Sequence, residues 1–335
     1  MPIMSTDEYS YNQLMKTMRS IPEPAFESPE MQELVWGRRW GCTNDVGRLR
    51  MVLVHRPGDE VNLVDPDRHL PEIGAYGDPE EGWYWRGSTP PDLPRMQEQH
   101  DSFCRIMREE GVQVEYLEDV PPRQHKSIST RDSVVAVRGG AIVCRLATPY
   151  RRGEELAATR KLAKLGMPIL RTIHGSSVFE GGSFAWLKEG VAVVGLSVRD
   201  DEEGARQVEE VLVTQGCELI RIHLTGYRQH IDGVLVMIDV DTALINPTLV
   251  PYWFFERMKE LGIKTIELDP EDHPFTINCL AVRPGRVIMT DASPRTMERL
   301  DKAGVEVIPV EFECVYRGGG GVHCSTAPLI RDPIS

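Results

Sequence analysis

The chain has 335 residues, 41% of them hydrophobic and 27% charged, and carries a formal net charge of −13 at pH 7. These are the proportions of a soluble globular protein, and the acidic balance excludes nucleic acid and anionic membrane as partners, since both need basic patches. No apolar run approaches the length of about 18 residues that spans a bilayer, the first residues (MPIMSTDEYSYNQ) are polar, and seven cysteines occur without a CxxC, so a reduced, cytoplasmic protein is expected.

In chain order, residues 1–40 read as an N-terminal arm, with a proline-rich extended stretch at 21–29. Residues 41–335 then read as one domain written in repeats of a single pattern: an apolar hairpin, a helical stretch, then a glycine followed by a strand. The hairpins are Arg50 to Pro57, Ser133 to Arg145, Ser183 to Ser197, Val234 to Pro247 and Asn278 to Thr290, the first lacking a visible second strand. The closing strands start at Gly111, Gly166, Gly216, Gly262 and Gly304, at intervals of 55, 50, 46 and 42 residues. A ββαβ unit cannot bury its own apolar face, and modules of this period pack around a common centre. The expected fold is an α/β propeller of five blades with pseudo-fivefold symmetry, and its function should sit where the units converge. Residues 65–94 interrupt the pattern as a long loop carrying Trp83, Tyr84 and Trp85, which is a candidate lid.

The chemistry concentrates near the C-terminus, where Arg317 to Asp332 reads RGGGGVHCSTAPLIRD. Four glycines let a backbone approach a ligand closely, and they lead into His323 and Cys324. A thiol nucleophile needs a proton donor and acceptor beside it. His230 and Asp232, two residues apart at a strand entrance, point to one side. Asp132 and Glu180 stand at the equivalent point of their own repeats. Carboxylates converging on a thiol suit a cation, and a planar guanidinium asks for bidentate carboxylates. His55, His100 and His223 read as structural, and the acidic run Asp200 to Glu203 as a capped, solvated helix start. Neither a metal-ligand spacing nor a phosphate-binding loop is present, so no metal and no cofactor are expected.

Between Val46 and Asp332 these segments resemble the guanidino-group-modifying superfamily of pentein fold, which contains arginine deiminases, dimethylarginine dimethylaminohydrolases and amidinotransferases. The motifs VGRLRMVLVHRPGDEV, STRDSVV, FEGG, GLSVR, HID and GGGGVHCSTAPLIRD look most like arginine deiminases. The resemblance implies Cys324 as nucleophile, His230 as general acid and base with Glu180 beside it, and Asp132 and Asp232 as holders of the guanidinium. It also implies that Arg199, Arg151 and Arg145 bind a substrate carboxylate. There are departures: Ser183 replaces the aspartate of EGGD, Lys126 stands where arginine deiminases carry asparagine, and the arginine expected just before the cysteine is present only as Arg317. The expected activity is hydrolysis of arginine or a related guanidino acid through a thiouronium on Cys324, by a homodimer. Amidino transfer to an amine and non-catalytic capture of guanidino compounds are the alternatives.

Overall fold

The computed structural model describes residues 6–20, 26, 28–78, 80, 83–225, 228–273 and 277–334. Most of the proline-rich stretch expected to be extended lies outside these residues. Helices α1 (Thr6–Thr17) and α2 (Pro29–Trp36) open the chain, and buried Gln32 of α2 accepts the Trp40 backbone N–H. After β1 (Leu49–Val54), the aromatic segment is not the irregular loop its composition suggests. It forms a small antiparallel sheet of β2 (His69–Leu70), β3 (Ala75–Asp78) and β4 (Trp83–Trp85), in that order. Helix α3 (Leu93–Glu109) follows, capped by the Asp92 carboxylate on the Arg95 N–H, and leads to β5 (Gln113–Tyr116). Met96, Phe103, Cys104 and Met107 lie at helical spacing and are fully buried, and each such side chain contributes about 1.5–3 kcal/mol.

The next three repeats follow the expected pattern. They are β6 (Val134–Val137), β7 (Gly140–Val143), α4 (Glu154–Leu165) and β8 (Ile169–Thr172); β9 (Phe184–Lys188), β10 (Val191–Leu196), α5 (Glu202–Thr214) and β11 (Glu218–His223); and β12 (Leu235–Asp239), β13 (Thr242–Ile245), α6 (Tyr252–Glu260) and β14 (Lys264–Glu267). A fourth comprises β15 (Leu280–Arg283), β16 (Arg286–Thr290), α7 (Pro294–Lys302) and β17 (Glu306–Val310), after which come α8 (Glu313–Tyr316) and β18 (Ala327–Arg331). In each, the hairpin pairs antiparallel and the closing strand joins in parallel, as a helical crossover requires. The glycines that mark the repeats, Gly111, Gly166, Gly216, Gly262 and Gly304, all have φ between 71° and 83°. Each reverses the chain from helix to strand in a conformation that a side chain would strain.

The incomplete first hairpin has a simple explanation. Its missing strand is β18, from the other end of the chain, which pairs antiparallel with β1 while β5 pairs parallel on the far side. The five resulting sheets are each three-stranded. Strand β18 packs on β6, β9 on β12, β12 on β15 and β15 on β1, while the turns preceding β6 and β9 touch one another. Among the described residues no helix is long and apolar enough to cross a membrane.

Candidate active site

Each of the five sheets sends one short turn to a common place, just before its first strand. Asp132 precedes β6, Glu180 precedes β9, His230 and Asp232 precede β12, Asn278 precedes β15, and His323 and Cys324 precede β18. Supplying β18 from the C-terminus therefore puts Cys324 at the position that the other repeats use for polar groups. All but His230 are buried, and 12% of the His230 side chain is exposed. A cavity of about 370 Å³ opens over His230, Asp232, Asn278 and Cys324, bounded by Tyr84, Arg86, Arg228 and Gly319.

The geometry around the sulfur is specific. The Cys324 thiol donates to Asp232 Oδ2 at 3.1 Å, and Asn278 Nδ2 donates to the sulfur at 3.1 Å. The Asn278 Oδ1 accepts the Cys324 N–H at 2.9 Å, so one amide fixes both the backbone and the thiol. His323 Nδ1 donates to Asp232 Oδ2 at 3.0 Å; burial, with Arg131 nearby, keeps this ring below its ordinary pKa and neutral. Burial would raise the Asp232 carboxyl, yet the hydrogen bond from His323 helps bring it down to about 2. Burial pushes the Cys324 thiol well up, and the charges of Asp232 and Asp132 push it further.

His230 stands on the other side of the aspartates. Its Nε2 lies 2.7 Å from Glu180 Oε2 and its Nδ1 lies 3.6 Å from Asp132 Oδ1. Burial alone would depress the ring, but Asp132 and Glu180 outweigh it and lift the pKa to about 10. Glu180 is held well below the carboxylate range, since its bond to His230 and the Arg151 and Arg199 guanidinia overcome the cost of burial. Gly182 makes room for this pair, because a Cβ there would meet Asp132 Oδ1 at 2.6 Å and His230 Nδ1 at 2.8 Å. Asp132, Glu180 and His230 could offer ligand atoms within 4.8 Å of one another. Arg151 and the imidazolium already occupy those carboxylates with cations, so the set is suited to an organic cation rather than a metal.

The arginines are placed differently from expectation. Arg151 is buried with Nε and Nη2 on Glu154 and Nη1 on Asp132 at 2.7 Å, so it orients a site carboxylate and is not among the cavity's lining residues. Arg145 spends its Nη1 on the carbonyls of Gly175 and Ser177 and fixes a loop. Arg317 pairs with Glu313 and Thr89. Arg199 also stays beside the site, with Nη1 3.3 Å from Glu180 Oε1 and 3.5 Å from Thr148 Oγ1, and like Arg151 is not among the cavity's lining residues. Lys126 joins it: the buried ammonium donates to the Gly318 carbonyl and lies 5.0 Å over the Tyr84 ring and 5.5 Å over Trp85. Burial and the nearby Arg151, Arg199 and Arg86 guanidinia bring its pKa down to about 7.

Sequence reasoning missed Asn278 and Asp200. Asn278 could have been found by extending the strand-entrance rule to the fifth hairpin. Asp200 is not the solvated cap of its acidic run: Asp201 caps α5, while Asp200 is buried and accepts from the Glu180 N–H at 2.7 Å and from the Ser183 hydroxyl. Burial raises it to about 8. The four glycines prove to serve packing as well as access: a Cβ on Gly318 would strike Trp85 at 2.7 Å, and one on Gly321 would strike Asn278 Oδ1 at 2.5 Å. His55 and His100 are buried structural residues, His55 bonded to Glu60 and the Leu117 carbonyl, whereas His223 is exposed.

Comparison with known proteins gives a consistent picture. The sequence profile of a family described as N,N dimethylarginine dimethylhydrolase, eukaryotic, matches residues 93–331. An arginine deiminase of Rhodococcus erythropolis is 23% identical, over 88% of this chain and 98% of its own length. Among solved structures, dimethylarginine dimethylaminohydrolase from Pseudomonas aeruginosa, complexed with citrulline, shares 22% identity and a TM-score of 0.67 over 84% of this chain and all of its own. The inosamine-phosphate amidinotransferase of Streptomyces griseus shares 18% identity and a TM-score of 0.70 over 88% of this chain and 97% of its own. At these identities the two structures speak for the fold alone.

Proposed function

The chain belongs to the N,N dimethylarginine dimethylhydrolase family, within the pentein superfamily, and from that premise we propose that it is a cysteine-dependent hydrolase of a guanidino acid such as arginine. The observation that carries the reading is the thiol of Cys324 held between Asp232 and Asn278, with His230 and its two carboxylates opposite. Asp132 and Asp232 pair with the guanidinium. In the resting site burial, together with their charges, keeps the sulfur protonated. A bound cation cancels those charges, so the thiol gives up its proton to solvent and the thiolate forms where and when the substrate is present.

The Cys324 sulfur then adds to the central guanidinium carbon. His230, protonated at neutral pH, delivers its Nδ1 proton to a departing nitrogen while Nε2 stays on Glu180. The C–N bond breaks, an amine or ammonia leaves, and an S-linked thiouronium remains. Neutral His230 takes a proton from water, the new hydroxyl attacks the same carbon, the C–S bond breaks, and a ureido product leaves with the thiol regenerated. Holding the carbon between sulfur and imidazole supplies at most roughly 7–11 kcal/mol. Arg199, kept from the arginine set read from sequence, and Lys126 are the cations that would take the substrate carboxylate. The five sheets, each touching the next, are read as the blades of a closed propeller with the site at one end of its axis.

Product analysis tests this. Incubation with arginine should give citrulline and ammonia whether or not glycine is added. Guanidinoacetate appearing with glycine, at the expense of citrulline, would make the protein an amidinotransferase, and no turnover of any guanidino acid would leave a binding protein.

A further inference from the structure

Away from the catalytic cavity, a second and much smaller one lies between the first strands of three sheets. It has a volume of about 20 Å³ and its wall includes Arg131, Trp186, Asp45 and Cys42. That volume suits one atom-sized guest, since a single water needs about 10–15 Å³.

The wall is unusually rich in donors. Arg131 and Trp186 are 7% and 1% exposed, and the Arg131 Nη2 and Trp186 Nε1 groups are buried without a hydrogen-bond acceptor among the described residues. Arg331, 6% exposed, lies outside that wall but also has such a donor, Nε, and its charge acts on the same Cys42, Asp45 and Arg131. Buried donors of this kind nearly always find acceptors, and two on the wall of one small cavity point to something that accepts from both.

Charge decides what that is. The charges of two buried guanidinia, Arg131 and Arg331, meet one carboxylate, Asp45, which takes the Trp186 backbone N–H at 2.8 Å. Cys42 cannot supply the missing charge, because burial raises its thiol to about 12 and so keeps it neutral. His323 is neutral as well. A buried excess of one positive charge is costly unless an anion meets it. We propose that this cavity binds one halide-sized anion, of the chloride class, between Arg131 and the Trp186 indole, with the charge of Arg331 nearby. Phosphate, sulfate and carboxylates are too large for it. The site is tied to the nucleophile segment, since the Arg131 backbone N–H donates to the Cys324 carbonyl at 3.1 Å and its Nε to that of His323 at 3.5 Å.

Bromide provides the probe. Crystals of the wild-type protein grown in sodium bromide should give an anomalous peak in this cavity at the bromine edge. In solution, replacing gluconate with chloride or bromide at constant ionic strength should raise the melting temperature saturably. Trp186→Phe keeps the packing and removes one donor to an anion, so its halide midpoint should move at least about tenfold higher. A refined water with no anomalous signal in the wild-type crystal would overturn the proposal, as would equal melting temperatures in gluconate and halide. An unchanged midpoint in Trp186→Phe would remove the indole from the site and overturn it as drawn. The wild-type crystal decides even if the variant does not fold.

Discussion

Replacing Glu180 with Gln probes the electrostatics of the site through one hydrogen bond. His230 Nε2 sits 2.7 Å from Glu180 and Nδ1 3.6 Å from Asp132. The two carboxylates raise the imidazole pKa from 6.5 to about 10 against the opposing effect of burial. At about 1.4 kcal/mol per tenfold change in proton affinity, that rise corresponds to roughly 5 kcal/mol in favour of the imidazolium. Asp132 carries part of it, and Gln keeps an acceptor oxygen, so the substitution should cost about 2–4 kcal/mol near neutrality. Its pH dependence follows from the directions of the shifts. The His230 pKa is raised on folding, so its stabilisation is complete below pH 6.5 and fades as pH climbs through about 10. The Glu180 pKa is lowered, so its contribution is present above its ordinary value of 4.5 and is lost at acid pH. The stability gap between wild type and Glu180→Gln should therefore be widest between about pH 5 and 6.5, narrowing as pH rises towards 10 and as it falls below 4.5. Urea unfolding at stepped pH measures the gap, and histidine NMR follows the ring itself. A gap that stays constant from neutrality to beyond pH 10, or a wild-type His230 that titrates near its ordinary value, would refute the reasoning.

Asp132→Asn and Asp232→Asn should each weaken guanidino-substrate binding by about 2–5 kcal/mol, because each leaves a buried cation half-paired; wild-type kcat/KM in either variant would place that residue outside the site. Asn278→Ala removes the donor to the sulfur and should lower kcat about 10- to 100-fold while moving the alkaline rise of the rate profile to higher pH, a shift that a merely structural role would not produce. Lys126→Ala and Arg199→Ala should raise KM for arginine far more than for agmatine, which lacks the carboxylate; equal losses on both, or a wild-type preference for agmatine, would remove the carboxylate from the tail site.

Much of this protein is legible in its sequence, for local reasons. The hairpins show because apolar strands flank tight turns, and the closing strands show because a glycine must reverse the chain after each helix. Positional equivalence at strand entrances marks Asp132, Glu180, His230 and Asp232 for one face, whereas Cys324 takes the equivalent position only because β18 completes the first sheet. What stays hidden depends on distant pairing. Strand β18 completes the first sheet from more than two hundred residues away, so β1 looks unpartnered when read in order. Arg151 and Arg145 are ordinary basic residues in sequence, and only the fold decides that one meets Asp132 and the other a loop carbonyl. Asp200 lies in an acidic run whose other members are solvated, and nothing local separates it from them. The aromatic segment looks irregular in sequence because its strands are only two to four residues long.

The covalent step on Cys324 is where the account is most exposed. Acid-quenching the reaction with arginine early in turnover and digesting the protein for mass spectrometry should reveal an amidino-linked adduct on the peptide holding Cys324. Cys324→Ser, folded and with unchanged melting behaviour, should show neither adduct nor product. An adduct on Cys279, Cys314 or any other cysteine, or turnover that survives in Cys324→Ser, would contradict it.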